Sequence, residues 1–160
     1  QRQMCIRDSA KSFNMDIMAF DPFLDEKSSA WNNVKNVNLE KLLKGSDIIS
    51  VHTPLSESTR HLINSTNLNF MKKTAVIINA ARGGVIDDKA LSEKLRKDEI
   101  KGAALDVFET EPMNVNSGSY FHGLKNVILT PHIAGVTEES NVNVSAMIAD
   151  KIDQHLSNSI

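Results

Sequence analysis

Three positions in the second half of this chain combine a carboxylate clamp with a group able to carry a proton near neutral pH. Arg82 lies in Ile78-Asn-Ala-Ala-Arg-Gly-Gly84, just past the apolar run Ala75-Val-Ile-Ile-Asn79. A planar guanidinium binds carboxylates through two parallel hydrogen bonds, and the two glycines permit close backbone approach. His132 lies in Thr130-Pro-His-Ile-Ala-Gly135, just past a second run, Asn126-Val-Ile-Leu-Thr130. Imidazole is the side chain whose ordinary titration falls in the physiological range. Between them, Gly102-Ala-Ala-Leu-Asp-Val-Phe-Glu-Thr-Glu-Pro112 ends a third run and carries three carboxylates, Asp106, Glu109 and Glu111. Taken singly, these are ordinarily a surface ion pair, a satisfied loop histidine and a solvated acidic loop. An arginine, an acid and a histidine at the ends of three separate strands form a stronger constellation. Asp106, flanked by Leu105 and Val107, is expected to be held indoors by a partner.

The elements that must position these residues follow from periodicity. Apolar runs at 16–20, 47–51, 75–79, 102–105 and 126–130 alternate with helical patterns, which predicts repeated β-α units around a parallel sheet. Continuous apolar character predicts strands covered by helices on both faces. Helices are expected from Asn38 to Lys44 with Gly45 as terminator, from Asn64 or Ser65 to near Met71, and from Asp87 or Asp88 to Lys97. A last helix is expected from Thr137 to about Leu156, with Val142, Ala146, Ala149, Ile152 and Leu156 along one side. Pro22, Pro54, Pro112 and Pro131 each follow a strand, where the missing N–H disturbs no ladder. They mark exits toward the carboxyl edge of the sheet, where open α/β sheets bind ligands. The stretch from Met113 to Leu124 reads as a polar loop.

Asp21 ends the first run. An acidic residue there can accept from the ribose hydroxyls of a dinucleotide and disfavours a 2′-phosphate, although a turn-starting aspartate before Pro22 is the ordinary alternative. A G-x-G-x-x-G loop should precede it by about 20 residues, yet no glycine occurs before Gly45. Residues 1–9 mix charged and apolar groups without visible helical or strand order, and are expected to be a non-native segment, with genuine sequence starting near Ala10. After the second run comes Val51-His-Thr-Pro-Leu55, a small, polar exit of the kind that contacts dinucleotides; His52 alone reads more simply as a satisfied loop histidine.

With 160 residues, 41% hydrophobic and 24% charged, the chain suits one globular domain. A net charge of −2 with mixed signs argues against nucleic acid or an anionic membrane as partner. No run approaches a membrane span. One cysteine, Cys5, excludes an internal disulfide and a cysteine metal cluster. No metal site is expected, and a reducing cytoplasm is the expected compartment.

The ordered motifs Asn79-Ala-Ala-Arg-Gly-Gly-Val-Ile-Asp87, Gly102 to Pro112 and Pro131-His-Ile-Ala-Gly135 resemble those of the D-isomer-specific 2-hydroxyacid dehydrogenases, with a match from about Ala10 to the last helix. The resemblance implies a Rossmann-like, doubly wound parallel sheet, incomplete at its N-terminus, with the substrate domain largely absent. Residues 10–136 would be a partial NAD-binding domain. Residues 137–160 would form a helix packing toward that substrate domain. It implies catalytic roles for Arg82 (substrate carboxylate), His132 (acid-base) and Glu111, rather than Glu109, as the histidine's partner. Asp21 is implied as the ribose ligand and Asp106 as holding the nicotinamide carboxamide. Thr53, Pro54, Ala80, Ala81, Arg82, His132 and Gly135 are the other implied cofactor contacts. NAD as cofactor, a small 2-hydroxyacid or 2-oxoacid as substrate and a homodimer as assembly complete the expectation. The substrate could be 3-phosphoglycerate, hydroxypyruvate or glyoxylate, or a sulfolactate-like acid; Gly135 to Ser140 leans toward a phosphoglycerate-dehydrogenase-like member. Without the glycine loop and the second domain, this chain is expected to bind NAD poorly and to be inactive. An NAD-sensing module of the corepressor kind is the alternative; a formate dehydrogenase fits less well.

Overall fold

Every strand pairing is parallel, as repeated β-α units require, and the order follows the chain. The structure, a computed structural model, describes residues 2–157; Gln1 and the end of the last predicted helix, 158–160, lie outside the described residues. β1 (Met18–Ala19) pairs with β2 (Lys35–Asn36), while β3 (Ile48–Val51), β4 (Val76–Asn79), β5 (Gly102–Leu105) and β6 (Val127–Leu129) form a second sheet in that order. Helices α1 (Arg2–Ser12), α2 (Leu39–Gly45), α3 (Ser65–Leu68), α4 (Asp88–Arg96), α5 (Val115–Ser119) and α6 (Glu138–Ser157) complete the path.

Local chemistry starts the helices, with Asn64 rather than Ser65 and Asp87 rather than Asp88 as caps, and Asn38 capping α2. The side chain of Asn38 accepts from Lys41 N–H, Asn64 from Thr66 and Asn67, and Asp87 from Ala90 at 2.8 Å. Each satisfies a donor that the first helical turn leaves open. Thr137 caps α6 through its hydroxyl, which accepts from Ser140 N–H at 3.0 Å.

The core lies on one face of the four-stranded sheet. Register places Ile49, Ile77 and Ala103 in one row, and Val51, Asn79 and Leu105 in another. The apolar members of both rows pack with Leu43 of α2, Leu68 of α3, and Leu91 and Leu95 of α4. Burying each such leucine or isoleucine contributes about 1.5–3 kcal/mol.

Several expectations are corrected. Strands β3 and β6 are not covered on both faces: Ile48 and Ile128 point the other way and are 50% and 67% exposed. α6 does not bury its apolar side against them: it has no buried residue and leaves Val142, Met147, Ile152 and Leu156 exposed. Gly45 is the last residue of α2 rather than a left-handed terminator; a Cβ there would meet only the mobile terminal methyl of Met18. α3 stops at Leu68, short of Met71. The polar stretch after Met113 contains α5, started by a capping box between Asn114 and Ser117. Residues 2–9 have helical order as part of α1; their glutamine, arginine and methionine are good helix formers without a breaker among them.

Candidate active site

Because β4, β5 and β6 are adjacent and parallel, the segments leaving them emerge at one edge of the sheet. Those segments carry Arg82, Glu111 and His132. Nδ1 of His132 lies 2.7 Å from Oε2 of Glu111. The other carboxylate oxygen of Glu111 accepts the Phe108 N–H at 2.8 Å. Burial pushes the Glu111 carboxyl up, but the hydrogen bonds from His132 and Phe108, helped by the histidine's charge, hold it below the usual range. Glu109, the carboxylate set aside as the partner of His132, meets Nε2 of His61 instead.

The loop that presents His132 is held from below by Asp106. This residue is buried, and its Oδ1 accepts the Thr130 hydroxyl at 2.5 Å and the Ile133 N–H at 2.9 Å. Its Oδ2 accepts the Ala134 N–H at 2.9 Å. Desolvation raises the Asp106 carboxyl, yet these three donors and the neighbouring His132 leave it below the ordinary value. Between the tethered positions, His132 takes φ = 56°, a left-handed conformation. A side chain there costs on the order of 1–3 kcal/mol and persists only where its surroundings impose it, as at functional sites.

The Arg82 turn is organised by Asn79, which is buried at the end of β4. Its side-chain oxygen accepts from Ala81 N–H and its amide donates to the Arg82 carbonyl, both at 3.0 Å. The guanidinium is exposed and donates to the Ala81 carbonyl at 2.6 Å. Gly84 takes φ = 77°. Gly83 presses on the next strand's loop: a Cβ there would lie 1.7 Å from the Phe108 carbonyl oxygen. The arginine and glutamate loops are therefore in direct backbone contact.

The remaining implied cofactor contacts surround this edge less tightly. Thr53 is half-buried after β3, and the Pro54 carbonyl accepts the Thr59 hydroxyl at 2.6 Å. His52 lies 2.9 Å from the Ser50 hydroxyl. Ala80 and Gly135 are exposed, and Gly135 has open space around it. Asp21 follows β1, in the other sheet, and its Oδ1 accepts the Phe23 N–H at 3.0 Å. A depression of about 460 Å³ beside β1 and β2 is lined by Lys11, Asp16, Asn33 and Lys35 and contains none of these residues. At the strand edge itself Ala80, Arg82, His132 and Gly135 are all exposed.

Asn79 and His61 are contributors to which the sequence assigned no role, while Gly83 was expected to allow close backbone approach and Asp88 was an alternative cap of α4. Asn79 stands within the Ile78 to Gly84 motif. Nothing local marks His61 or the contact of Asp88 with Glu109, which join segments distant in sequence.

An open parallel sheet with polar and charged side chains gathered at its carboxyl edge defines a Rossmann-like dinucleotide-binding domain. Residues 4–134 match the family model of the D-isomer specific 2-hydroxyacid dehydrogenase, NAD binding domain, and the chain belongs to that family. It is 44% identical over 148 residues to an (S)-sulfolactate dehydrogenase of Chromohalobacter salexigens, covering 92% of this chain and 47% of that protein. Identity to a D-3-phosphoglycerate dehydrogenase of Bacillus subtilis is 42% over 149 residues, covering 93% of this chain and 28% of the relative. A D-lactate dehydrogenase from Aquifex aeolicus, solved with NAD and lactic acid, superposes with a TM-score of 0.81 at 29% identity, over 94% of this chain and 49% of that one. The chain thus spans half or less of the length of these relatives.

Proposed function

We propose that this chain supplies the hydride-transfer edge of an NAD-dependent oxidoreductase acting on a small 2-hydroxyacid or 2-oxoacid. The observation that carries the reading is the 2.7 Å contact between His132 and Glu111, on a turn whose backbone at Phe108 abuts Gly83 of the turn bearing Arg82. With Nδ1 committed to the glutamate, Nε2 of His132 faces the substrate. In the oxidation direction it takes the hydroxyl proton while the same carbon gives up its hydride and becomes a carbonyl. Glu111 fixes the ring's orientation and balances the charge that the histidine gains. Arg82 exchanges the Ala81 carbonyl for the substrate carboxylate and fixes which face of the carbon is presented. Both 3-phosphoglycerate and sulfolactate, the compounds named for the two relatives, carry such a carboxylate, and a phosphoglycerate-dehydrogenase-like substrate is the one we favour.

The residues present fit the ribose and nicotinamide ends of a dinucleotide. Asp21 offers a carboxylate, and Thr53, Pro54, Ala80, Ala81 and Gly135 offer little side-chain bulk. NAD, when bound, accepts or returns the hydride. Asp106 is proposed to hold the carboxamide side of that site in addition to the His132 loop. The chain has no G-x-G-x-x-G stretch to approach a pyrophosphate, and its reactive edge is open on one side. By itself it is proposed to bind NAD weakly and to turn over nothing. The exposed apolar side of α6 suits packing against a substrate domain, and a homodimer and a cytoplasmic setting belong to the same reading. Among the described residues no helix is long and apolar enough to cross a membrane.

The test is a chimera in which this chain replaces the matching segment of the Chromohalobacter enzyme. His132→Ala in that chimera should lower kcat by roughly 10²–10⁴-fold, the usual worth of a positioned proton-transfer group, and leave NADH affinity largely unchanged. Equal loss of both would make His132 structural. A chimera that binds NADH but reduces no 2-oxoacid would favour the NAD-sensing alternative.

A further inference from the structure

One buried carboxylate takes no part in the reaction just described. Asp88 is the first residue of α4, yet Asp87 caps that helix and Asp88 turns elsewhere. It is 5% exposed, and its Oδ2 accepts the Glu109 N–H at 2.9 Å. The contact is reciprocal, because Glu109 Oε2 accepts the Asp88 N–H at 3.4 Å. Glu109 Oε1 in turn meets Nε2 of His61. His61 is held in place by its own backbone: its N–H donates to the Gly84 carbonyl at 2.8 Å, Ile63 N–H donates to Val85, and Asp87 N–H donates to Ile63. His61 also takes a left-handed φ of 50°. Two chain segments distant in sequence, around His61 and Asp88, therefore close on Glu109, two residues before Glu111.

We infer that Asp88, with Glu109 and His61, is a positioning clasp that fixes the Phe108–Pro112 turn so that Glu111 meets His132. The inference rests on the reading of Glu111 and His132 given above. Glu111 reaches back to the Phe108 N–H, and its geometry depends on where the Phe108–Glu109 backbone stands. Gly83 contacts that backbone from one side, and Asp88 anchors it from the other. Burial pushes the Asp88 carboxyl up to about 6 despite the Glu109 N–H bond, with Glu109 and Asp87 adding repulsion and His61 opposing it. Such an unfavourable site for a carboxylate is expected where its position matters.

The experiment is a ¹³C-NMR titration of the Glu111 carboxyl in the 160-residue chain. It reads geometry without requiring turnover, so its outcome is independent of whether the hydride-transfer reading holds. In Asp88→Ala the Glu111 midpoint should rise from its depressed position toward the ordinary carboxylate value, as the Phe108 N–H bond loosens. Asp88→Asn keeps an oxygen for the Glu109 N–H and should hold the Glu111 midpoint low. An unchanged Glu111 midpoint in a folded Asp88→Ala would overturn the clasp, as would asparagine shifting it as far as alanine does. Should Asp88→Ala fail to fold, Glu109→Ala decides in its place: loss of the His61 and Asp88 N–H contacts must raise the Glu111 midpoint there too, and no movement would overturn the proposal.

Discussion

Gly83 packs against the backbone of Phe108 so closely that any side chain would overlap it; a Cβ would lie 1.7 Å from the carbonyl oxygen and 2.9 Å from the nitrogen. This contact joins the turn bearing Arg82 to the turn bearing Glu111. Backbone atoms cannot rotate aside as a side chain would, so the fit is stiff. Gly83→Ala should therefore destabilise the chain by roughly 3 kcal/mol or more, at the upper end of what overpacking costs. Gly135→Ala, with nothing within 4 Å, should fall within about 0.5 kcal/mol of the parent. Urea denaturation of both variants checks the contrast, and similar midpoints for the two would rule out the close approach.

Asp88 gives the stability a pH dependence of definite sign. Its carboxyl rises from 3.8 to about 6 on folding, so the native state keeps this proton longer than the unfolded chain does. Stability from this group then falls as pH climbs between about 4 and 6 and is level above that. Asp88→Asn lacks the penalty. Its advantage over the parent should grow across that window by about 2–3 kcal/mol, since one pK unit is worth about 1.4 kcal/mol. Denaturant midpoints for both proteins at several pH values between 4 and 8 measure it; an advantage that shrinks as pH rises would refute the sign.

Asp106 works in the opposite direction. Its carboxyl is held below its ordinary value by Thr130, Ala134 and Ile133, which outweigh desolvation. The stabilisation is present above the unfolded pKa and is lost as pH falls through the folded one, so it disappears only in acid. Asp106→Ala leaves three donors without their acceptor and should cost at least about 2 kcal/mol. Faster amide exchange at Ile133 and Ala134 should accompany the loss, with Phe108 little affected.

Arg82 should contribute by shape as well as charge. In the chimera, Arg82→Lys retains the cation but loses the fork that pairs with a carboxylate. We expect KM for the 2-oxoacid to rise about tenfold or more, as loss of a charge-assisted hydrogen bond worth roughly 1.5–3 kcal/mol implies. The affinity for NADH, measured by fluorescence, should be nearly constant. An equal fall in NADH affinity would place Arg82 in cofactor binding alone.

The sequence by itself determined the strands β3 to β6, the starts of α2, α3 and α4 to within a residue, and the placement of Arg82, Glu111 and His132 just past strand ends. Those features depend on periodicity and side-chain-to-backbone chemistry within a few residues, and local sequence carries both. It also carried the family motifs from which Glu111 was preferred to Glu109. Tertiary structure alone decided what meets across distance. The partners of Glu109 lie 21 and 48 residues away, and strand order and register bring them together. β2, a two-residue strand, exists only by virtue of its pairing with β1. The two adjacent glycines look equivalent in sequence, yet one relieves a backbone contact and the other a left-handed φ. The left-handed φ of His132 likewise has no local signal: it is set by the three donors that Asp106 gathers from the loop around it.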